Sequence, residues 1–462
     1  YDLYADLSLS NWEPIGDLVA DVSAHSSSVS MQGASKAFTG VFRGNNKTIS
    51  FHGFGTGAAA KRGGGIFACT DGARIENLTV HYYAGAFDIT GLAVRVSGGV
   101  AGYARNSELV NLRVSGTIEV NQTGFFGGIA GYNGNDHTGT GTALIDNCVC
   151  DADIQIIKSG AVLYAGSIAG MNDSGVGTST IRNSHSTGDM DASGSGSIYM
   201  GGIVGDNGRY VVNNGARRIV NCSSSGAISI NTSGGEAIAG GIAGNSRKNG
   251  GTGISSIENC YSSGPVSAAN TGTSNVFAGG IVGYNQNSRV TNCYATGSVS
   301  GSSGSGAAYL LSGGIAGLST YGSLVQNCYA AGAVSVSGSA TTCYAGGITA
   351  SGTNPGDTVS NNAAINQIVS SPGSHRITAS PVPTTLTNNI AWDGMVLNGG
   401  SVTDATANGA DGASKTKAEL ETSGTWTSLF SGFGANWKWI AGYLYPVLSW
   451  QTSAPAAWTP LP

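Results

Sequence analysis

Short runs of alternating apolar and small polar residues recur along most of this chain, separated by turn-forming residues. One complete unit is AGGIVGYNQNSRVTNCYATGSVSG at residues 278–301, with a Gly-Gly-Ile strand, an Asn-Cys corner and a Gly-x-Val strand. Each piece is a short β-branched run flanked by Gly, Asn and Ser, which predicts strands and turns rather than helices. Because internal repeats determine an architecture, the recurrence of this unit decides the fold prediction.

The unit recurs from about residue 64 to about residue 365, with a mean period of about 35 residues. Its Ile or the equivalent residue falls at Ile66, Val100, Ile129, Ile168, Ile203, Ile242, Ile281, Ile315 and Ile348. Its Asn falls at Asn77, Asn111, Asn147, Asn183, Asn221, Asn259, Asn292, Asn327 and Asn361. The gap from Ile to Asn varies from 11 to 18 residues, so inserted loops are expected in that part of the unit.

A stack of such units explains the pattern better than a propeller. One unit cannot bury its apolar face, whereas units stacked about 4.8 Å apart bury a continuous interior. A propeller blade needs four antiparallel strands, and each unit shows only three strand-like pieces. We therefore predict an all-β fold: a single-stranded, right-handed parallel β-helix of about nine coils. Residues 64–365 would form the coils, 1–63 an N-terminal cap that merges into the first coil, and 366–462 a C-terminal cap.

Alternation assigns the sides of each coil. Phe277, Gly279 and Ile281 share one parity, and the position of Phe277 is bulky in other coils, so we expect it to face the interior. Its equivalents are Phe125, Tyr164, Tyr199, Ile238, Leu311 and Tyr344. The repeat Asn is expected at a corner, where its amide stacks on the Asn of neighbouring coils.

The C-terminal region departs from the repeat. SKTKAELETSG predicts one short helix, capped by Ser414 and ended near Gly424. The closing segment holds Trp426, Trp437, Trp439 and Trp450. We expect so aromatic a segment to cap the open solenoid end, with carbohydrate stacking as the alternative. The tail at 452–462 is predicted to be a linker or a loose end.

Composition excludes several function classes. The chain has 462 residues, 75 of them Gly, with 10% charged residues and a net charge of −5. The sequence has no polybasic patch of the kind that would predict a nucleic-acid partner. No apolar run reaches the roughly 18 residues needed to span a bilayer. The start at Tyr1, without Met or a signal segment, suits a mature secreted fragment.

The cysteines follow the repeat rather than a disulfide framework. Cys148, Cys222, Cys260, Cys293 and Cys328 directly follow the repeat Asn, and Ser184 fills this position in one coil. They are expected to form a file of small, buried, reduced side chains, because free Cys packs as a small hydrophobe. A bridge is not expected, since stacked strands point both thiols the same way. No metal site and no cofactor are predicted, because no His or second Cys completes a tetrahedral set.

The recurring GGIxG…NCYxxGxV unit resembles the GLUG-motif repeats of bacterial secreted and cell-surface proteins, including segments that accompany immunoglobulin A peptidases and adhesin-like proteins. WEPIG, FTGVFRGNN and LYPVLSWQ look like the flanks of such regions. The resemblance covers nearly the whole chain and implies an extracellular β-solenoid. It implies no catalytic centre, because the enzymes of this family carry their chemistry in other domains, and no HExxH motif occurs here.

An enzymatic alternative is a polysaccharide lyase or glycoside hydrolase, which would need paired carboxylates or carboxylate-bound calcium. The acidic concentration that could serve comprises Asp151, Asp153, Asp173, Asp189, Asp191 and Asp206. Asp153 and Asp189 each lie six residues after a repeat Asn, so they are expected to stack in adjacent coils, close to His185. The simpler interpretation is a solvated outer face, and we predict no catalytic residue.

A candidate binding surface comes from Tyr261, Tyr294 and Tyr329, each two residues after its repeat Asn in three successive coils. Alternation from the buried Cys predicts that they point outward, as an aromatic file that could stack on sugar rings or contact a partner. The alternative is that each Tyr simply covers a strand. We predict a non-catalytic, secreted or surface-exposed, adhesin-like protein that binds a glycan or a surface protein; a structural spacer is a further alternative. The oligomeric state is left open.

Overall fold

A computed structural model describes residues 1–17, 36–55, 63–87, 96–135, 140–158, 160–209, 214–352, 356–379, 385–453 and 461. Its strands run in three rows along one solenoid, and each coil of the chain contributes to all three rows in turn. Most of the predicted tail at 452–462, namely 454–460 and 462, lies outside the described residues.

Row 1 contains the strands that follow the Gly-Gly-Ile bend. Its strands are Phe67–Asp71, Ala101–Arg105, Ala130–Gly134, Ala169–Asp173, Val204–Arg209, Ala243–Lys248, Val282–Gln286, Ala316–Thr320 and Thr349–Gly352.

Row 2 contains the strands on both sides of the repeat Asn. Its strands are Leu7–Leu9, Val41–Phe51, Arg74–Tyr82, Glu108–Val120, Thr142–Asp146, Val149–Cys150, Thr178–Arg182, His185–Ser186, Ala216–Val220, Ser223–Ser224, Ile254–Glu258, Tyr261–Ser262, Arg289–Thr291, Tyr294–Ala295, Leu324–Gln326, Tyr329–Ala330, Thr358–Ser360, Ala363–Ala364, Thr385–Thr387, Ile390–Trp392 and Ala413–Lys415. The strand Glu108–Val120 continues into row 3.

Row 3 leads from the Gly-x-Val strand to the next Gly-Gly pair. Its strands are Gly63–Gly64, Val96–Gly98, Gly124–Gly127, Asp153–Lys158, Leu163–Gly166, Met190–Gly194, Ile198–Gly201, Ile228–Thr232, Ala237–Gly240, Val266–Asn270, Val276–Gly279, Val299–Gly313, Val334–Gly346, Ile368–Ser370 and Val396–Asn398.

All pairing within the three rows is parallel, and each strand pairs with its equivalent one coil away. Ala243 pairs with Val282 in row 1, for example, and Ile238 pairs with Phe277 in row 3. Among the described strands, antiparallel pairing occurs only between Trp437–Lys438 and Val447–Leu448, outside the repeats. The predicted parallel β-solenoid of about nine coils is therefore confirmed.

The interior is built from the residues that the repeat marks. Every Ile or Val of the repeat series, from Ile66 to Ile348, is at most 2% exposed and belongs to one continuous core. Burying each such side chain contributes about 1.5–3 kcal/mol. Gly280, which follows the row 3 strand Val276–Gly279, packs closely on the next coil, since a Cβ there would lie 2.1 Å from the carbonyl oxygen of Gly314.

The predicted face of Phe277 is wrong, although the residue is buried. Phe277 belongs to a smaller cluster separate from the main core, and Ala278 faces the core instead. The Gly-Gly-Ile bend between rows 3 and 1 interrupts the alternation, so parity counted back from Ile281 does not carry across it. The Phe277 position therefore lies on the outer side of row 3, where it packs against row 1 residues such as Tyr284 and Leu318.

The predicted Asn ladder is present at the row 2 corner. The amide of Asn147 donates to Asn111 Oδ1 over 2.8 Å, and Asn111 in turn donates to Asn77 over 2.9 Å. Each repeat Asn, from Asn77 to Asn361, has a φ between 50° and 56°. Asn tolerates this left-handed conformation better than other side chains, so one residue provides both the turn and the link between coils.

The cysteines form the predicted buried file. Cys148, Cys222, Cys260, Cys293 and Cys328 are all free and fully buried. The backbone N–H of Cys222 donates to Cys260 Sγ over 3.4 Å, and that of Cys293 donates to Cys328 Sγ over 3.4 Å. This position thus needs a small side chain with an acceptor atom, which explains why Ser184 also occupies it: Ser184 Oγ accepts the N–H of Cys148 over 3.2 Å.

Thiol titration of the native protein should distinguish one cysteine from the other seven. Cys343 is partly exposed, whereas the other seven are buried. Burial raises the pKa of Cys148 and of Cys150 to about 12, so little of the reactive thiolate is available. With a disulfide reagent at pH 8, we expect Cys343 to react first and the other seven to react only after unfolding in denaturant. A disulfide between two file cysteines, detected by mass spectrometry without reduction, would contradict this.

The strand stack continues beyond residue 365, the boundary predicted from the repeat. Ile368–Ser370 pairs with Val396–Asn398, and Ile390–Trp392 pairs with Ala413–Lys415, both in parallel. These coils lack the Gly-Gly-Ile signature but keep the Asn corner, where Asn388 has a φ of 52°. Whether the segments at either end act as caps stays a prediction.

The predicted short helix is present as two. It begins later than expected, at Lys417–Leu420, with Thr416 rather than Ser414 as the capping residue. The Thr416 hydroxyl accepts the backbone N–H of Glu419, whose carboxylate accepts the backbone N–H of Thr416. A second helix follows at Ser423–Leu429.

Asp411 holds the last coils together. Its Oδ2 accepts the backbone N–H groups of Thr403 and Asp404, over 2.8 and 3.1 Å. Its Oδ1 accepts the N–H of Arg376 and lies 3.2 Å from His375 Nδ1. Although burial opposes the shift, these hydrogen bonds lower the pKa of Asp411 below its usual value.

Replacing Asp411 by Asn should lower the unfolding free energy by about 1–3 kcal/mol at pH 7, because the new amide would oppose buried N–H donors. A carboxyl whose pKa is lowered on folding stabilises the protein above about pH 4, and this contribution is lost as the pH falls through the folded-state pKa. The difference in Tm between wild type and Asp411→Asn should therefore shrink from pH 7 to pH 3. Asp393→Asn, at an exposed position with the same change in charge, is the control. A pH-independent difference would contradict this role of the carboxylate.

Candidate binding site

The predicted Tyr file exists as a stack of rings. Tyr261 and Tyr294 have ring centroids 5.0 Å apart and an interplanar angle of 5°. Tyr294 and Tyr329 follow at 4.8 Å and 2°. These side chains point away from the Cys file, as alternation requires, and strand pairing brings them into register.

The predicted exposure of this file is wrong. Tyr294 and Tyr329 are 0% exposed, because the chain after residue 417 folds back along the side of the solenoid and covers them. Trp437 packs against both rings, with centroids 6.1 and 5.7 Å away. Tyr294 and Gln451 are hydrogen-bonded through their side chains, and the Tyr329 hydroxyl donates to the carbonyl of Pro446 over 2.9 Å.

Tyr261 is half-buried at the end of the same cover. Its ring stacks on Trp450 at 5.7 Å, and the Trp450 indole N–H donates to the carbonyl of Asn259 over 3.0 Å. The aromatic closing segment thus stacks on the file itself, so the ligand-binding role predicted for Tyr261, Tyr294 and Tyr329 loses the free surface on which it depended.

Part of the acidic group is a solvated face. Asp153, Asp189 and Asp191 are exposed, and Asp153 and Asp189 lie in adjacent coils as predicted. Asp153 Oδ1 accepts the backbone N–H of Asp189 over 3.1 Å, and Asp189 Oδ1 accepts that of Ala227 over 2.7 Å. These carboxylates therefore link turns of neighbouring coils. No group of three or more His, Cys, Asp or Glu side chains suited to a metal ion occurs in the described part of the chain.

The rest of the group is divided between two kinds of ion pair. Asp151 pairs with Arg113 near the surface. Asp173 is fully buried, with Arg217 Nε at 3.1 Å and a hydrogen bond of 2.9 Å from the Tyr132 hydroxyl. Asp206, also fully buried, pairs with Arg247.

A pocket of about 260 Å³ lies between the outer side of row 3 and row 1, close to Arg247. It is rich in aromatic rings. Its lining comprises Tyr199, Glu236, Ile238, Arg247, Asn275, Phe277, Tyr284, Tyr309, Leu318, Thr320 and Tyr321. Its volume lies just below the roughly 300–1,000 Å³ usual for small-molecule sites, which suits a ring-sized group.

A hydrogen-bond network fixes one wall of this pocket. Glu236 accepts the Tyr199 hydroxyl over 2.7 Å and the Asn275 amide over 3.0 Å. Asn275 Oδ1 then accepts the backbone N–H of Tyr309 over 3.2 Å. Burial, together with the charge of Glu236, raises the pKa of Tyr199 well above its usual range, so the hydroxyl stays protonated and keeps donating.

Arg247 also lines the pocket, as part of an internal ion pair. Its guanidinium pairs with Asp206, donates to the Tyr164 hydroxyl over 3.3 Å and lies 5.8 Å from the centroid of that ring. Although burial opposes the shift, the Asp206 carboxylate raises the pKa of Arg247. Burial raises the pKa of Asp206 to about 6, although Arg247 opposes this shift, so above that pH the Asp206 carboxylate balances the positive charge of Arg247.

Two of the pocket tyrosines are open to solvent. Tyr309 is 42% and Tyr321 is 58% exposed. Tyr321 also has a φ of 60°, where the corner of the preceding coil uses Asn287 with a φ of 48°. A bulky residue in this conformation is unusual and costs roughly 1–2 kcal/mol. Asp357 Oδ1 accepts the N–H groups of Gly322 and Ser323, over 2.8 and 2.9 Å, and so holds this turn.

Sequence reasoning missed the pocket, although part of it lies on a marked position. Tyr199, Ile238 and Phe277 belong to the bulky series that was expected inside the coil. Glu236, Asn275 and Tyr309 each lie six residues before the repeat Ile of their coil, but the residue type at this position changes from coil to coil, so the repeat pattern did not mark it. The available signal was Tyr321-Gly322, which stands where another coil has Asn287.

Comparison with known proteins supports the repeat. Residues 278–300 match the family pattern described as the GLUG motif. The chain carries a GLUG motif. This stretch runs from the end of the row 3 strand Val276–Gly279 through the Gly-Gly-Ile bend and the Asn corner to the start of the strand Val299–Gly313, so it covers the row 1 and row 2 parts of one coil.

Other comparisons add little to the GLUG motif. A crystal structure of a putative immunoglobulin A1 protease from Bacteroides ovatus is similar, with 20% sequence identity and a TM-score of 0.36, over 72% of this chain and 86% of that one. A likeness this weak carries no argument about function. A search of curated proteins finds no match. Neither described helix is long and apolar enough to cross a membrane.

Proposed function

We propose that this GLUG-motif solenoid is a non-catalytic, secreted or cell-surface binding protein, and that the pocket between rows 3 and 1 binds a sugar unit of a glycan. The observation that carries the proposal is the lining of the pocket, in which aromatic rings surround a small number of fixed polar groups. Sugars present apolar ring faces and hydroxyl edges, and such a lining is suited to both.

The number of carboxylates favours binding over hydrolysis. Glycoside hydrolysis ordinarily uses two carboxyl groups on opposite sides of the bond that is cleaved. Within the described lining of the pocket, Glu236 is the sole carboxylate, and its oxygens accept hydrogen bonds from Tyr199 and Asn275. Asp153 and Asp189 are not part of this lining; they are exposed, and each accepts a backbone N–H of the neighbouring coil.

Removing the two exposed rings should weaken glycan binding. We expect the Tyr309→Ala/Tyr321→Ala variant to bind a glycan array, or a selected oligosaccharide in calorimetry, at least about tenfold more weakly than wild type, because each stacked ring is worth roughly 1 kcal/mol or more. Tyr4→Ala, which removes a tyrosine that is 84% exposed far from the pocket, is the matched control. Equal binding by wild type and the double variant would rule out this pocket.

A turnover assay tests the enzymatic alternative directly. Wild type and Asp153→Ala/Asp189→Ala would be incubated with neutral and uronic-acid polysaccharides, with and without calcium. We expect no cleavage by either protein. Calcium-dependent cleavage that the double change abolishes would instead establish a lyase.

A further inference from the structure

We propose that Glu236 makes the pocket selective for sugar units that carry a free, protonated amine, over N-acetylated sugars and over uronic acids. This inference rests on the proposed function, because it specifies which glycans the same pocket takes. It follows from the negative charge of Glu236, which has no cationic partner among the described residues.

Glu236 has no cationic partner among the described residues. Its carboxylate accepts hydrogen bonds from the neutral groups of Tyr199 and Asn275, and its backbone N–H donates to Ser197 Oγ over 3.2 Å. A carboxylate has about four acceptor positions, so these two donors leave capacity for a ligand. The side chain is half-buried at the pocket wall, where its charge is screened less than on an open surface.

The cation that lines the pocket has a carboxylate partner of its own. The guanidinium of Arg247 pairs with Asp206, which is fully buried. Above the pKa of Asp206, Arg247 and Asp206 together carry no net charge, so Glu236 gives the described lining of the pocket one negative charge. A cationic ligand group gains a charge-assisted hydrogen bond there, whereas an anionic group is repelled by Glu236.

The rings around Glu236 favour the same ligand. The faces of Tyr and Phe attract cations placed within about 6 Å of the ring centroid, and the pocket offers the exposed rings of Tyr309 and Tyr321 together with the more buried ring of Phe277. An amino sugar combines an apolar ring face for stacking with an ammonium group for the carboxylate. An N-acetylated sugar keeps the ring of the amino sugar but loses its positive charge. Comparing these two sugars therefore isolates the contribution of the charge.

The test uses three sets of oligosaccharides of equal length: glucosamine oligomers, N-acetylglucosamine oligomers and uronate oligomers. Calorimetry on the full chain at pH 7 should show glucosamine oligomers binding at least about tenfold more tightly than the acetylated series, as expected for one charge-assisted contact. Binding should weaken as salt is raised from 50 to 500 mM. Uronate oligomers should bind most weakly.

Glu236→Gln should remove the preference for the amine while leaving weak binding of the acetylated series in place. Glu119→Gln, which removes the same charge at an exposed position in a distant coil, is the control. If acetylated or uronate oligomers bind wild type as tightly as glucosamine oligomers, the selectivity is wrong but glycan binding stands. If no oligosaccharide in the three sets binds, both proposals fail. The comparison of ligands on wild type decides the question even if Glu236→Gln does not fold.

Discussion

Replacing Ile281 by Asp is expected to lower the unfolding free energy by several kcal/mol and to reduce the soluble yield sharply. Ile281 is 0% exposed in the continuous core, so the substitution would bury a carboxylate without a partner, and an unpaired buried charge carries that penalty even after relaxation. Denaturant unfolding followed by circular dichroism measures the change.

Ser298→Asp is the matched control for this substitution, since it adds the same charge to the same coil at an exposed position. It should alter the unfolding free energy by about 0.5 kcal/mol or less, as surface substitutions usually do. Similar losses for the two variants would mean that the Ile series does not form the interior.

Replacing Trp437 by Ala should lower the unfolding free energy by about 3–5 kcal/mol, the usual cost of truncating a buried Trp. Trp437 is 0% exposed; its ring stacks on Phe430 at 4.7 Å and contacts the rings of Tyr294 and Tyr329. The loss would loosen the closing segment from the solenoid, so we also expect the variant to bind a hydrophobic dye that wild type does not bind.

Trp439→Ala is the comparison for that substitution, because Trp439 lies two residues along the same segment and is only partly buried. Its loss should cost clearly less and should not induce dye binding. If the two substitutions are equally mild, the closing segment does not cover the Tyr file in solution.

The repeating parts of the fold were predictable, because the same residue types recur at the same positions of many units and each recurrence indicates the same local structure. The Ile series, the Cys file and the Asn corner each appear in at least five coils, and all three occupy the predicted places. The corner is well specified by chemistry, since few residues other than Asn combine a left-handed φ with a side-chain amide.

The parts that do not repeat were not predictable by the same reasoning. Alternation correctly turned Tyr294 and Tyr329 away from the Cys file, but nothing near them in sequence indicates that Trp437 and Gln451, more than a hundred residues later, return to cover them. The pocket likewise depends on Glu236 and Arg247, whose positions recur six residues before and five residues after the repeat Ile but hold different residue types from coil to coil. Contacts between distant segments depend on the positions that the non-repeating segments take in the fold. A single sequence contains no local signal for those positions.

The pocket is assembled across successive coils, from Tyr199 to Tyr321, and this has a consequence for how such a protein can change in length. In a solenoid each coil contacts mainly its two neighbours, so whole units can be added or lost at a distance without disturbing the others. Insertion or deletion of coils before Tyr199 would move the pocket closer to or farther from the N-terminus as an intact block. Loss of the single unit that contains Glu236 would remove the pocket. The length of the solenoid and its ligand preference can therefore change separately. The number of units sets the length, and the residues of the few units that form the pocket set the ligand preference.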